Sequence, residues 1–229
     1  GLAARHGAEL RHGEPVRRWE TDGSGVRVET DLAVYRADRL VVAAGPWSGE
    51  VLAGLGLPLT VLRVVNVHFA PVRPEWYHAR DCPIFSLLVE EGHYYGIPGP
   101  GDVGIKIGRH DNLATCDPQT IRRDVTDDEI AMLSRVLARY LPGAAGRVLS
   151  WLTCLYTMTP DKHFIVDLHP EHSQVAIACG FSGHGYKFAP VMGEILADIA
   201  MTGATDHPTS FLSMDRFLGV SAGARQAQP

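Results

Sequence analysis

The sequence predicts an α+β fold built from two interleaved parts, an incomplete α/β portion and a mixed, largely antiparallel sheet. Three observations predict it. Two apolar runs, Arg39 to Ala44 and Val175 to Ala178, each pass into glycine-containing turns, as strands buried on both faces of an α/β sheet do. Between them, from Leu59 to Thr157, apolar and polar residues alternate in several segments separated by turn residues. Within that stretch one long segment switches to helical spacing.

The elements follow in chain order. Leu2 to His6 reads as helix and stops at Gly7. Ala8 to Arg11, Val16 to Glu20, Val26 to Thr30 and Ala33 to Ala37, punctuated by Gly, Asp and Ser, predict a small β-meander. The Arg39 run ends in small residues and belongs to a parallel sheet, and Trp47 to Leu55 predicts a short helix that Gly56 and Pro58 terminate. Leu59 to Pro71, Ile84 to Val89, His93 to Pro98 and Val103 to Gly108 predict antiparallel strands. Thr126-Asp-Asp-Glu129 is a capping box ahead of the stripe Ile130, Leu133, Val136, Leu137 and Tyr140, which Pro142-Gly143 ends. Val148 to Thr157, Phe164 to Leu168 and Val175 to Ala178 predict strands, and Pro190 to Met201 a closing helix.

Composition excludes several functions. The 229 residues are 45% apolar and 21% charged, enough to bury a core without a disulfide scaffold. The 21 Lys and Arg are scattered among 26 Asp and Glu, with no basic face for a phosphate backbone, so no nucleic-acid partner is expected. Apolar stretches break well before the roughly 18 residues of a membrane span, so no membrane association is expected. Cys82, Cys116, Cys154 and Cys179 form no C-x-x-C pair, which suits a reducing cytoplasm. The first residue is Gly1, not Met, and the segment after it reads as the end of a helix; sequence upstream is expected.

Gly99-Pro-Gly-Asp-Val-Gly104 is a literal G-x-G-x-x-G, but a dinucleotide fingerprint must leave a strand and open a helix. Here Ile105-Lys-Ile-Gly continues as a strand, so the segment reads as a hairpin turn. His169 and His172 flank Pro170 and Glu171 in poor ligand geometry and read as satisfied surface histidines; no metal site is expected. There is no G-x-S-x-G elbow and no P-loop. Two segments remain, Thr153 to Asp167 and Ala178 to Pro190; the second is a buried strand's exit through glycines into a helix start, where unpaired N–H groups cradle an anion or carbonyl.

Taken together, Val41-Val-Ala-Ala-Gly-Pro-Trp-Ser48, Tyr94-Tyr-Gly-Ile-Pro98, Gly104-Ile-Lys-Ile-Gly108 with His110, Cys154-Leu-Tyr-Thr157, His163-Phe-Ile-Val-Asp167 and Gly180 to Lys187 are ordered as in one family. From about residue 2 to 217 the chain resembles the monomeric sarcosine oxidase and N-methyltryptophan oxidase group of the D-amino-acid-oxidase-like flavoproteins. The resemblance implies FAD held covalently through Cys154; Cys82, Cys116 and Cys179 read, as a lone cysteine ordinarily does, as buried, inert hydrophobes. It implies that Lys106 lies over the flavin and promotes reaction with O2. Lys187 is implied to pair with the carboxylate of a secondary amino acid, and Tyr95 and His110 to line the substrate cavity. His184 would approach the flavin, the main chain of Gly183 to Gly185 would donate to its pyrimidine end, and Gly45 and Trp47 would pack against the cofactor. Arg109 departs from the tyrosine expected there, which bears on substrate choice.

The implied reaction oxidises the C–N bond of the amino acid to an imine and reduces O2 to H2O2. The family's opening β-α-β unit, which holds the ADP half of FAD, has no counterpart here. A truncated chain, a split enzyme whose other half is a second chain, and a decayed remnant stay open as explanations. So do a non-catalytic binding or scaffold module and a subunit of a heteromeric flavin dehydrogenase; Lys106 favours the oxidase over the latter. The implied domains are residues 1–58 with 158–205 as the remaining FAD-binding part, 59–157 as the substrate domain, and 206–229 as a tail.

Overall fold

The computed structural model describes residues 1–218 and has an α+β fold of mixed sheets with few helices. The 219–229 part of the expected tail lies outside the described residues. In chain order the elements are α1 (Leu2–Arg5), β1 (Val16–Asp22), β2 (Gly25–Thr30), β3 (Val34–Ala37), β4 (Leu40–Val42), α2 (Ser48–Val51), β5 (Thr60–Phe69), β6 (Phe85–Val89), β7 (Gly92–Pro98), β8 (Ile105–Arg109), β9 (Ala114–Thr115), α3 (Asp127–Tyr140), β10 (Val148–Met158), β11 (Ile165–Leu168), β12 (Val175–Cys179), α4 (Ala189–Thr202) and α5 (Asp215–Leu218).

The chain divides into two compact units. The first takes Gly1–Pro58, His163–Cys179 and the chain from Gly185 onward; the second takes Leu59–Lys162 and Gly180–His184. In the first unit β1, β2 and β3 form an antiparallel meander, with Trp19 opposite Val28 and Val26 opposite Ala37. A three-stranded sheet of order β11-β12-β4 accompanies it, with β12 antiparallel to β11 and parallel to β4. All five residues of β12 are buried, as expected for a central strand, and α4 buries Met192, Ile195 and Ile199.

Four expectations for this unit need correction. Ala8 to Arg11 forms no strand and is exposed, because it has no neighbouring strand to pair with among the described residues. The Arg39 run yields only three strand residues and is not buried on both faces: Val42 is buried, but Val41 is 41% exposed. The 47–55 helix is broken into a 3₁₀ turn, the single turn α2 and a second 3₁₀ turn that ends at Gly56 with φ +58°. His169 is buried rather than on the surface: it stacks on His172 at 4.5 Å, its Nδ1 accepts the Glu171 N–H, and both rings meet the edge of Trp19.

The second unit is one sheet of order β10-β5-β8-β7-β6, with the short β9 also pairing β5, covered on one face by α3. Residues 99–104 join β7 to β8 as a hairpin connection, and the Gly99 N–H donates to Gly104 O. The capping box of α3 is formed in both directions, Thr126 Oγ1 accepting the Glu129 N–H and Glu129 Oε2 accepting the Thr126 N–H. The stripe read from the sequence buries Leu133, Val136 and Leu137 against Val67, Phe69, Tyr94, Ile105 and Ile107. These sheet residues share one face by the period-two alternation of β-strands.

Candidate active site

The same alternation decides what the other face of the second unit's sheet carries. With Val65, Val67 and Phe69 turned to the core, β5 directs Val64, Asn66 and His68 the opposite way. The register then aligns them: Asn66 lies opposite Leu152 on β10 and Gly108 on β8, and His68 lies opposite Ser150 and Lys106. Tyr95 on β7 pairs Gly108, and Cys154 on β10 pairs Val64, one step diagonal from Asn66. Tyr95, Lys106 and Cys154, far apart in sequence, therefore share one face with Asn66 and His68. Leu88, Ile97 and Leu152 on that face are exposed.

Side-chain contacts tie the face together. The Tyr95 hydroxyl donates to Asn66 Oδ1 at 2.6 Å, and Asn66 Nδ2 donates to Cys154 Sγ at 3.6 Å. Asn66 is 1% exposed. The Lys106 ammonium stands 5.6 Å from the Tyr95 ring centroid. Residue 108 is glycine for a steric reason: a Cβ there would lie 2.7 Å from Tyr95 Oη and 2.8 Å from Asn66 Oδ1. Beside this group His93, Tyr95, His110, Tyr156 and Gly183 line a cavity of about 200 Å³. The His110 ring lies 4.9 Å from His93, 6.2 Å from Tyr95 and 5.6 Å from Tyr156.

The loop Gly180–His184 completes this wall. The Ser182 N–H donates to Thr157 O and its hydroxyl bonds Gly180 O, holding Ser182 at φ +48° although it carries a side chain. Gly183, at φ +77°, lies against Tyr156, where a Cβ would approach ring carbons to 2.5 Å. The His184 N–H closes the turn onto Phe181 O at 3.0 Å. That amide is used within the loop.

Electrostatics keep the cavity's groups in defined states. Burial and the neighbouring Tyr156 hydroxyl push the Tyr95 phenol far above its ordinary range, and burial raises Tyr156 as well. Burial, with His93, His184 and Lys162 nearby, lowers His110, so its imidazole is neutral at neutral pH. Burial and the Lys106 charge likewise lower His68, whose buried Nδ1 has no partner among the described residues.

The remaining expected site residues belong to the first unit. Gly45 has φ +54°, Trp47 is 37% exposed, Gly185 precedes the 3₁₀ turn Tyr186–Phe188, and the Lys187 ammonium stands 5.3 Å from the Phe188 ring centroid. Of the cysteines expected to be buried and inert, only Cys179 is buried, its thiol pushed up to about 12 by burial; Cys82 and Cys116 are partly exposed. Asn66, His68, His93 and Tyr156 escaped the sequence reading. Asn66 and His68 stand at alternate positions of β5, but Thr60 and Arg63 on the same strand are polar as well, so polarity alone does not single them out.

A thiol, an ammonium, a phenol and a buried amide on one sheet face, with apolar neighbours that a flat ring could cover, form a donor set that fits a flavin. Among the described residues no three His, Cys, Asp or Glu side chains gather as a metal site. Residues 1–199 match the family described as FAD dependent oxidoreductase (DAO). The chain is 41% identical over 232 residues to a monomeric sarcosine oxidase of Streptomyces avermitilis, covering 96% of this chain and 59% of that protein. It is 33% identical to an N-methyl-L-tryptophan oxidase of Escherichia coli, covering 94% and 58%. Among solved structures it resembles NikD, an unusual amino acid oxidase of nikkomycin biosynthesis, with a TM-score of 0.80 at 26% identity over 93% of this chain and 57% of that one. The chain thus spans less than two thirds of the length of these relatives, and over that span it belongs to the DAO family of FAD dependent oxidoreductases.

Proposed function

We propose that this chain is the substrate-site portion of an FAD-dependent amine oxidase that oxidises the C–N bond of an N-methyl or other secondary amino acid to an imine and reduces O2 to H2O2. The observation that carries the reading is the joint placement of Lys106, Tyr95, Asn66 and Cys154 on one sheet face beside the His110 cavity. FAD, when bound, supplies the two-electron chemistry. Cys154 would hold it covalently through sulfur, and residues 1–58 and 158–205 would carry the remaining part of its binding domain, with Gly45, Trp47, Gly183, His184 and Gly185 at the cofactor.

The chain's own groups account for the rest. Lys106 presents a fixed positive charge where negative charge develops on reduced oxygen, the preorganised stabilisation that an oxyanion hole provides. Lys187 would take the substrate carboxylate. Tyr95, protonated because it is buried, and the neutral imidazole of His110 line a cavity wall without net charge, suited to an amine that must lose electrons. An intracellular setting fits the unpaired cysteines.

The test joins this chain to the N-terminal segment of the Streptomyces avermitilis relative and measures sarcosine-dependent O2 uptake and H2O2. The reading expects both, and expects Lys106→Met to slow the oxygen step by about a hundredfold. Substrate oxidation that proceeds only with an artificial electron acceptor would favour the dehydrogenase subunit instead. A folded protein with no turnover at all would favour the scaffold.

A further inference from the structure

Asn66 is the most buried polar side chain of the site face, and both ends of its amide are used. Its Oδ1 accepts the Tyr95 hydroxyl at 2.6 Å and its Nδ2 donates to Cys154 Sγ at 3.6 Å. The two bonds are coupled. A primary amide has one acceptor end and one donor end, so a phenol that donates to the oxygen fixes the NH2 on the opposite side, toward the sulfur. Tyr95 is held in turn: burial keeps its hydroxyl protonated, hence a donor, and the missing side chain at Gly108 leaves the space through which it reaches Asn66.

From this chain of contacts we infer that Asn66 is a positioning residue for Cys154: it aims an N–H at the sulfur, stabilises negative charge on it and makes it the reactive thiol of the protein, with Tyr95 locking the amide in the required orientation. An N–H donated to an anion is worth more than one donated to its neutral form, so the bond favours the charge the sulfur carries as it attacks an electrophile. The inference rests on the reading in which Cys154 is the covalent attachment point, since that reading gives a reactive sulfur on this face a purpose.

The test needs no flavin. The chain is treated with iodoacetamide, in which the sulfur forms a bond to the methylene carbon, iodide leaves and the thiol proton passes to solvent. Peptide mass spectrometry then follows each cysteine separately. Cys82 and Cys116, both partly exposed and outside the Asn66 contacts, serve as controls within the same molecule. In Asn66→Leu, which keeps nearly the same shape and removes the donor without adding a charge, Cys154 should react about tenfold more slowly, with the two controls unchanged. Tyr95→Phe, which frees the amide to rotate, should give a smaller slowing at Cys154 alone.

An unchanged Cys154 rate in both variants, or an equal change at all three thiols, would overturn the inference. Loss of folding cannot mimic the expected result, because unfolding speeds alkylation. If Cys154 slows as expected while the joined protein of the preceding section acquires no covalent flavin, the attachment reading fails and the role of Asn66 toward the sulfur stands.

Discussion

At the scale of single residues, the site depends on positions that carry little signal when viewed alone. Asn66 and Gly108 are neighbours only through the β5–β8 register, which no local motif encodes. Gly108→Ala would force a methyl group against Tyr95 Oη and Asn66 Oδ1, and is expected to destabilise the second unit by about 1–3 kcal/mol, read from denaturant midpoints. Arg63 and Glu129 give a pH prediction. Partial burial works against the Glu129 charge, but hydrogen bonds from Arg63, the Thr126 N–H and Arg122 overcome it and hold the carboxyl at about 2. A carboxylate whose folded value is depressed stabilises the fold above its unfolded value and loses that contribution as pH falls. The chain should therefore lose stability between about pH 5 and pH 2, and Glu129→Gln, already lacking that contribution, should lose less over the same window in acid titrations followed by circular dichroism. Lys106 and Cys154 were legible through the order of motifs around them. Asn66 was not, because a buried amide is recognised by its partners and those, Tyr95 and Cys154, lie on two other strands.

At the scale of elements, legibility follows how much of an element's stability is local. The capping box, apolar stripe and Pro142-Gly143 stop of α3 all lie within one segment, and the helix forms where they predict. Thr126→Ala should cost about 1 kcal/mol and Leu133→Ala about 2–5 kcal/mol in chemical unfolding, since the first removes a cap and the second a fully buried side chain. The antiparallel strands of the second unit were likewise legible from alternation. The first unit was harder: an apolar run shows that a strand is wanted but not what covers it. Leu40–Val42 pairs β12 on one edge, has no strand on its other edge among the described residues, and leaves Val41 exposed. Such an edge invites pairing with another chain. Val41→Lys should reduce light scattering of the chain at high concentration, while an unchanged signal would place the association elsewhere.

At the scale of the molecule, α+β architecture and DAO family membership were both readable from the ordered motifs, and the folded chain adds the reason those motifs belong together. One face of the six-stranded sheet is committed to core against α3. The other gathers the thiol, ammonium, phenol and amide that the proposed chemistry requires, and the Gly180–His184 loop closes a cavity beside them. Covalent attachment through Cys154 is the central proposal, because it would give this face its cofactor. The direct measurement is acid precipitation of the chain joined to a relative's N-terminal segment, with flavin absorbance read in the washed pellet. The account predicts yellow protein that Cys154→Ser renders colourless while leaving it folded. Flavin that washes free of the unmutated protein, or a pellet still coloured after Cys154→Ser, would contradict it.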